Sequence, residues 1–309
     1  MEEATRNAFG KAILEFSKDH PEIVTIDADL SGSTKTQDFA KENPNKAFNV
    51  GIAEQDLIGT AAGLALSGKR PFACSFAVFA TGRAWEQIRN TVCVSHLPVV
   101  VVGSHAGILT GEDGETHQAL EDVAIMRVLP HMNVYSPADS TETRAIVKYI
   151  LEHEKGPCYL RLGREKVPVI FNKDENFDFP KVRQLTDGND LVIFATGSVV
   201  GQALMAANKI KEDGVNASVV NVSCLKPVDR DGIINQLKKS SKCVSCEDHS
   251  VIGGLGSIVS DIIAEEGIDS RILKIGMHGF GESGTPYDLY AKYGLDAEGI
   301  YEKIKQFLK

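Results

Sequence analysis

Short apolar runs alternate along the chain with longer segments in which apolar residues recur every three or four positions. The first pattern predicts buried strands and the second predicts helices. In the first half of the chain the predicted strands are 23–26, 71–76, 98–103, 132–135 and 158–162, and the predicted helices are 4–18, 54–67, 83–95, 118–129 and 139–154. Such alternation is typical of a parallel sheet flanked by helices.

The alternation breaks over residues 166–186, where prolines, asparagines and charged residues cluster. This composition predicts an interdomain linker. Beyond it the pattern resumes, with predicted strands at 191–195, 217–222, 242–246 and 271–275 and predicted helices at 199–213, 230–239 and 255–265. We therefore expect an α/β protein of two domains, residues 1–165 and 187–309.

Charge and composition exclude several classes of protein. The 309 residues include 33 basic and 42 acidic side chains, a formal net charge of −9, with no stretch dense in lysine or arginine. A nucleic-acid-binding face is therefore not expected. The N-terminal segment is acidic, and the longest apolar runs, such as 97–102, are only as long as a strand, so we expect neither a signal peptide nor a membrane span. A cytoplasmic location follows.

The six cysteines are scattered in apolar contexts, which is typical of reduced core residues. Cys243 and Cys246 form a CxxC pair, but no second pair lies at metal-binding spacing. We interpret this pair as structural, with a redox or zinc role as the alternative. No metal is expected to be bound by this chain alone.

Four polar clusters interrupt the first half, each at or just beyond the end of a predicted strand, and that edge is where open α/β sheets bind ligands. They are 27–34 (DADLSGST), 49–55 (NVGIAEQ), 74–83 (CSFAVFATGR) and 103–118, which contains GEDGETHQ. The first three also have structural interpretations, as a turn, a carboxylate in a first helical turn and an aromatic pair in a core. The fourth is a glycine-rich loop with two histidines and an aspartate, which favours a site.

In order and spacing, these clusters resemble the pyrimidine-binding domain of transketolases. GIAEQ resembles the segment with that family's cofactor glutamate, SFAVF its aromatic pyrimidine pocket, and GEDGETHQALEDVAIMRVLPHMNVYSPAD its most diagnostic stretch. In the second half, ATGSVVGQAL, CLKPVD and EDHSVIGGLGS resemble the family's C-terminal domain. The resemblance implies a parallel-sheet domain that binds the pyrimidine of thiamine diphosphate, a smaller α/β domain, and the transfer of a two-carbon ketol unit between sugar phosphates.

One part of the family's cofactor site is missing from the sequence. The family binds Mg²⁺ and the diphosphate through a GDG signature followed by an asparagine, and this chain has neither that pair nor the domain that carries it. The chain therefore resembles the small subunit of a split transketolase. This implies a partner subunit with the diphosphate- and Mg²⁺-binding domain, activity only with that partner, and an α2β2 heterotetramer. The sequence does not identify the sugar substrate, since enzymes of the pentose phosphate pathway and those acting on modified sugars would share these residues.

The resemblance assigns four residues to the cofactor. Glu54 would donate a proton to the aminopyrimidine ring from a poorly solvated setting, as a carboxyl kept neutral can do. Phe79, with Phe76 behind it, would form a wall of the pyrimidine pocket and keep it dry. Asp29, in the first cluster, is a further candidate for contact with the cofactor.

The resemblance assigns the substrate to a second group of residues. His117 would contact the C1 hydroxyl and carbonyl oxygen of the donor, and Asp113 would read the next hydroxyl. The family's ligands for a distal sugar phosphate correspond to Arg6, Ser33, His105 and Arg164. Two arginines converging on one phosphate suit bidentate anion recognition, although an arginine on an exposed surface needs no ligand.

Two departures from the family pattern and three alternatives remain. The segment 80–82 has no aromatic residue where some members carry one, and Ala106 replaces an aspartate that some members have.

The β subunit of a 2-oxo acid dehydrogenase would share the fold and the glutamate but would not need the phosphate ligands. The C-terminal half of a 1-deoxyxylulose 5-phosphate synthase would not be expected to carry Phe79. A non-catalytic module of the same fold is disfavoured by intact Glu54, Asp113 and His117.

Overall fold

The structure, a computed structural model, describes residues 1–309 and contains fourteen strands. Their bounds are β1 (Glu2–Ala4), β2 (Ile23–Asp27), β3 (Ala47–Asn49), β4 (Arg70–Phe76), β5 (Val100–Ser104), β6 (Asn133–Tyr135), β7 (Cys158–Arg161), β8 (Lys166–Pro168), β9 (Arg183–Gln184), β10 (Leu191–Thr196), β11 (Ala217–Asn221), β12 (Cys224–Lys226), β13 (Lys242–Ser250) and β14 (Arg271–Met277).

Twelve α-helices cover these strands. Their bounds are α1 (Thr5–Phe16), α2 (Ser31–Thr34), α3 (Gln37–Glu42), α4 (Glu54–Leu66), α5 (Trp85–Gln87), α6 (Asp122–Arg127), α7 (Ser140–His153), α8 (Val200–Glu212), α9 (Arg230–Leu237), α10 (Leu255–Glu266), α11 (Pro286–Tyr293) and α12 (Ala297–Leu308). Wide π-helical turns at Phe79–Arg83 and Ile88–Cys93 flank α5.

The first sheet has seven strands in the order β12-β6-β7-β5-β4-β2-β3. All neighbours are parallel except β12, which comes from the second half of the chain and pairs antiparallel with β6. β2, β4, β5 and β7 are buried along their whole length, which explains their nearly continuous apolar composition. Their carboxyl ends lie at one edge of the sheet.

The second sheet has five strands in the order β14-β13-β10-β11-β9, parallel except for β9. The stretch predicted as a linker contains two short strands that tie the halves of the chain together. β8 pairs antiparallel with β1 at the N-terminus, and β9 joins the second sheet. The break in the sequence pattern therefore marks a change of sheet.

The buried apolar core extends from one half of the chain to the other. One cluster of 35 buried residues includes Ile26 and Val101 of the first sheet together with Phe194 and Val220 of the second. A cluster of 18 includes Phe9 of α1 and residues of β2, β4, β5 and α7. The second domain is thus packed against the first and can support its ligand-binding edge.

The predicted fold class is confirmed, and most predicted elements are present within one or two residues. Two predicted helices differ. The helix expected at 118–129 is limited to α6, because Ala119 pairs with Ala106 in a bridge that holds residues 118–121 out of the helix. The helix expected at 83–95 is wound more widely by the π-helical turns. No helix is both long enough and apolar enough to span a membrane.

Candidate active site

Four neighbouring parallel strands end at one cavity. Phe76 ends β4, and Ser33, His105 and Arg164 follow β2, β5 and β7. The cavity has a volume of about 500 Å³. Its lining residues are Arg6, Gly32, Ser33, Lys35, Phe76, His105, Asp113, His117 and Arg164. The sheet edge therefore collects cationic, hydroxyl and imidazole groups in one polar pocket, as the strand order requires.

A buried carboxylate shapes the turn that enters this cavity. Asp27, the last residue of β2, accepts hydrogen bonds from Leu30 N at 2.5 Å and from the hydroxyls of Thr34 at 2.7 Å and Thr36 at 3.0 Å. Burial raises the pKa of Asp27, and these three donors oppose that rise. Because one carboxylate holds both ends of the turn, the residues between them have a fixed course along the cavity.

A neutral histidine lies beside Arg6 in the cavity. Arg6 Nη1 donates to Ser33 O at 3.0 Å and lies 3.2 Å from His105 Nε2. Arginine can only donate, so Nε2 accepts and the ring proton sits on Nδ1, which is 2.8 Å from Ser104 Oγ. Burial, and after it the charges of Arg6 and Arg164, lower the pKa of His105 to about 3. His105 is therefore uncharged near neutral pH.

Arg164 reaches the same cavity from the end of β7 and is held by acceptors of the fourth cluster. Its Nη1 donates to Thr110 O and lies 3.1 Å from Glu112 Oε2 and 3.8 Å from Asp113 Oδ2. Glu112 and Asp113 thus balance part of its charge. An anion entering the cavity would meet an arginine that is already oriented by the protein.

Aromatic rings form a wall of the cavity beside the cations. The rings of Phe76 and His105 stack with centroids 3.8 Å apart, and Phe79 lies 6.0 Å from Phe76 at an interplanar angle of 13°. His117 stands edge-on to Phe79, with centroids 5.2 Å apart. Its Nδ1 lies 2.8 Å from Thr116 Oγ1, which leaves Nε2 as the ring nitrogen without a protein partner.

Glu54 lies behind this wall at the first position of α4. Its side chain is 1% exposed, and Oε2 accepts a 2.7 Å hydrogen bond from Nη1 of Arg83. The Arg83 guanidinium carbon also lies 5.0 Å from the centroid of the Phe79 ring. The guanidinium therefore contacts both a buried carboxylate and an aromatic face.

The second domain supports the loop that carries Asp113 and His117. Buried Asp248, on β13, accepts from Ile108 N at 2.9 Å and from the Tyr290 hydroxyl at 3.1 Å. Gln118 Nε2 donates to Gly111 O at 3.2 Å and to Glu282 O at 2.9 Å. Contacts from the second domain thus help to fix the loop geometry.

The structure brings no metal-binding cluster together. No group of three or more His, Cys, Asp or Glu side chains is placed to hold a metal ion. All six cysteines are buried free thiols. Burial raises the pKa of Cys243 to about 11 and that of Cys246 to about 12, so both are thiols in the core.

Two family descriptions match almost the whole chain. Residues 2–169 match the family described as transketolase, pyrimidine binding domain, and residues 180–300 match transketolase, C-terminal domain. The chain belongs to the transketolase family. The family predicted from the sequence motifs is thereby confirmed.

Several relatives of this transketolase chain have nearly its own length. A chain of Methanocaldococcus jannaschii named for the C-terminal section of transketolase is 46% identical over 98% of this chain and 96% of its own. A subunit of the apulose-4-phosphate transketolase of Phocaeicola vulgatus is 37% identical over 99% and 98%. A solved structure described as a split gene transketolase, inactive beta4 tetramer, has a TM-score of 0.90 at 46% identity and covers 98% of this chain and 97% of its own. This chain is therefore a C-terminal subunit of the split-transketolase type.

The structure places most of the residues predicted for a transketolase site in the cavity. Those lining it are Arg6, Ser33, Phe76, His105, Asp113, His117 and Arg164. Phe79 lies next to it, edge-on to His117, and Glu54 lies beyond Phe79, to which Arg83 joins it. Asp29 lies outside it, exposed and hydrogen-bonded to Asn49, with its N 3.0 Å from Oδ1 and its Oδ1 3.2 Å from Nδ2. The roles of all these residues stay predictions.

Sequence reasoning missed three residues that the structure places at or against the site. Lys35 lines the cavity, Arg83 pairs with Glu54, and Asp248 supports the loop. A lysine or an arginine near a turn has no distinctive spacing, so neither could be distinguished from a surface residue. Asp248 lies in the EDHS motif, which was the one available signal.

Proposed function

We propose that this chain is the small subunit of a thiamine-diphosphate-dependent transketolase, which transfers a two-carbon ketol unit between sugar phosphates. It acts only with a partner subunit that binds the diphosphate and Mg²⁺. The observation that supports this most is the single pocket in which cations at one end lead along an aromatic wall towards a buried carboxylate. A sugar phosphate needs the cations, and a cofactor ring needs the wall and the carboxylate.

The residues around Glu54 fit the pyrimidine end of the cofactor. A planar group rich in nitrogen, the Arg83 guanidinium, already contacts both the Glu54 carboxylate and the Phe79 ring. An aminopyrimidine is also planar and also presents nitrogens to a carboxyl group, so the same two partners suit it. When bound, thiamine diphosphate supplies the carbon nucleophile that takes up the two-carbon unit.

The other residues then have complementary tasks towards the sugar. His117 offers a ring nitrogen free of protein partners, which can hold or move a proton at a donor hydroxyl or carbonyl oxygen. Asp113 lines the same cavity and can accept from the next hydroxyl. Arg6 and Arg164 hold the phosphate at the far end, so that binding energy remote from the reacting carbon positions the sugar.

Assembly and location are also proposed. The apulose-4-phosphate relative is named as one subunit of a transketolase, which supports an enzyme of two different subunits, and we propose an α2β2 heterotetramer. The buried free thiols suit a cytoplasmic location.

The test is reconstitution with the partner that co-purifies from the native source. The assembled pair should transfer a ketol unit from a ketose phosphate to an aldose phosphate, and should need added thiamine diphosphate and Mg²⁺. Use of pyruvate as donor in place of a ketose phosphate would contradict the proposal and favour the synthase or dehydrogenase alternatives. Absence of any transfer by the loaded pair would favour the non-catalytic module.

A variant of Glu54 links the activity to the proposed site. Glu54→Gln should abolish ketol transfer, because an amide cannot supply the carboxyl proton to the pyrimidine ring. Asp56→Asn is the matched control, since Asp56 lies in the same helical turn, is exposed, and accepts only from Thr60 at 3.3 Å. Comparable transfer by both variants would remove Glu54 from the mechanism.

A further inference from the structure

The cavity contains a lysine, Lys35, that corresponds to none of the family's phosphate ligands. Lys35 is half-buried, lines the cavity together with Arg6, Ser33, His105 and Arg164, and also borders a second, smaller cavity of about 260 Å³ beside α1. Lys35 therefore borders both cavities. Its charge contributes, after burial and the charges of the two arginines and His117, to the low pKa of His105.

The backbone of Lys35 is fixed on both sides. Its neighbours Thr34 and Thr36 both donate their hydroxyls to Asp27, and its own N–H donates to Ser31 O. Lys35 itself adopts a left-handed backbone conformation with φ of +68°, which residues other than glycine rarely adopt. Strain of this kind persists only where the surroundings impose it, and it concentrates at functional sites.

The charge of Lys35 is not balanced by a carboxylate. Arg164 already lies near Glu112 and Asp113, and Arg6 donates to Ser33 O. The acidic residue closest to Lys35 in the sequence, Asp38, pairs instead with Lys41 at 2.9 Å. Lys35 forms no ion pair and no side-chain hydrogen bond, so it is the cation in the cavity that is most available to a ligand.

We propose that Lys35 is a specificity-determining ligand that makes the distal pocket select a dianionic phosphate over a monoanionic group. The inference rests on the proposed transfer between sugar phosphates and adds a residue to it. Arg164, with part of its charge balanced by Glu112 and Asp113, and Arg6, which is bound to Ser33 O, suffice to orient a monoanion. The unbalanced ammonium interacts with the second negative charge, and its three rotatable donors suit a phosphate oxygen that the arginines leave free.

Anion binding to the chain alone tests the proposal without any catalysis, because Lys35 and the proposed phosphate ligands Arg6, Ser33, His105 and Arg164 are all on this chain. The probes are inorganic phosphate, mainly a dianion at about pH 8, and methanesulfonate, a tetrahedral monoanion at the same pH. NMR titration of the wild type should show tighter binding of phosphate than of methanesulfonate. Lys35→Met should weaken phosphate about tenfold, the loss of one charged hydrogen bond, and methanesulfonate about threefold or less.

Two variants keep this result interpretable. Lys11→Met removes an equal charge from α1, where Lys11 pairs with Glu3 and does not line the main cavity, and it should change neither affinity. Lys35→Arg should retain most of the preference for phosphate. The proposal is overturned if Lys35→Met weakens both anions equally, if it weakens neither, or if phosphate does not bind the wild type.

The assembled enzyme provides the second readout. Lys35→Met should raise KM for a sugar phosphate about tenfold with a much smaller change in kcat, since a remote phosphate is bound about equally in the ground and transition states. Unchanged KM in an active pair would overturn the role of Lys35 and leave the proposed function intact. If the assembled pair shows no ketol transfer but its phosphate binding depends on Lys35, the anion site is supported and the proposed function is contradicted.

Discussion

Arg83 and Glu54 form a hydrogen-bonded ion pair of 2.7 Å in which the carboxylate is almost fully buried and the arginine side chain is 50% exposed. The same guanidinium lies over the Phe79 ring. These are the two surfaces at which the proposed aminopyrimidine would be held. Cofactor binding and the Arg83–Glu54 pair therefore compete for the same carboxylate.

Arg83→Ala should tighten the binding of thiamine diphosphate to the assembled enzyme. The variant has no ion pair to break, so the Glu54 carboxyl is free to meet the ring. Because the arginine is half exposed, the pair is worth about 1 kcal/mol, which corresponds to a severalfold lower Kd. Calorimetric titration of the cofactor in the presence of Mg²⁺ measures the change.

The control for this experiment is Arg89→Ala, in the neighbouring helical segment, where Arg89 is exposed and contacts Asn90. It should leave the Kd unchanged. Weaker cofactor binding by Arg83→Ala would show that Arg83 contacts the bound cofactor instead of competing with it.

Arg164→Ala should raise KM for a sugar phosphate while barely affecting a short unphosphorylated donor such as hydroxypyruvate. A hydrogen bond to a charged group is worth about 1.5–3 kcal/mol, or roughly tenfold to a hundredfold in kcat/KM. Steady-state kinetics with both donors measures the difference. Arg144→Ala is the control, since Arg144 is exposed and pairs with Glu15 at 2.6 Å. Equal impairment with both donors would make Arg164 a structural residue.

Lys35→Gly should stabilise the fold while it weakens phosphate binding. Lys35 has a φ of +68°, a conformation that costs a side-chain residue about 1–2 kcal/mol and that glycine adopts freely. Part of this gain is offset by the greater freedom of glycine in the unfolded chain, so we expect about 1 kcal/mol more stability. Urea unfolding and phosphate titration of the same sample test both effects. A less stable variant would show that the lysine side chain is needed for folding.

A buried glutamate at the domain junction should make stability depend on pH. Glu142, in the first turn of α7, accepts from Ala138 N and from Asn221 Nδ2 of β11, each at 2.7 Å. Burial raises the pKa of Glu142 to about 7. A carboxyl whose pKa is raised on folding stabilises fully below its unfolded pKa, and this contribution is lost as the pH rises through the folded value.

Compared with Glu142→Gln, the wild type should therefore lose stability between about pH 4.5 and pH 7, by up to about 3 kcal/mol. The glutamine keeps the bond from Ala138, and the buried Asn221 Oδ1, which has no partner, can turn to accept from the new amide. Glu247, whose pKa burial also raises to about 7, is the same in both proteins. Urea unfolding across this pH range gives the difference, and a constant difference would show that Glu142 does not titrate there.

The sequence by itself determined the α/β class, the order of the main elements, the family and the residues from which the cavity is built. Parallel strands buried on both faces require long apolar runs, and polar residues after such strands can only gather at the sheet edge. Ser33, Phe76, His105 and Arg164 could thus be assigned to one site from local patterns and from the resemblance to transketolases. Their common position at the cavity follows from strand order.

Only the tertiary structure decided what each side chain contacts. The pairing of Arg83 with Glu54, the unbalanced charge of Lys35 and the support of Ile108 by Asp248 each depend on side-chain directions or on residues far apart in the chain. The antiparallel pairing of β12 with β6, which brings a strand from the second half of the chain into the first sheet, also depends on residues far apart in the chain. Local periodicity reports which face of an element is buried, but the partner that covers it is chosen by packing across the whole molecule.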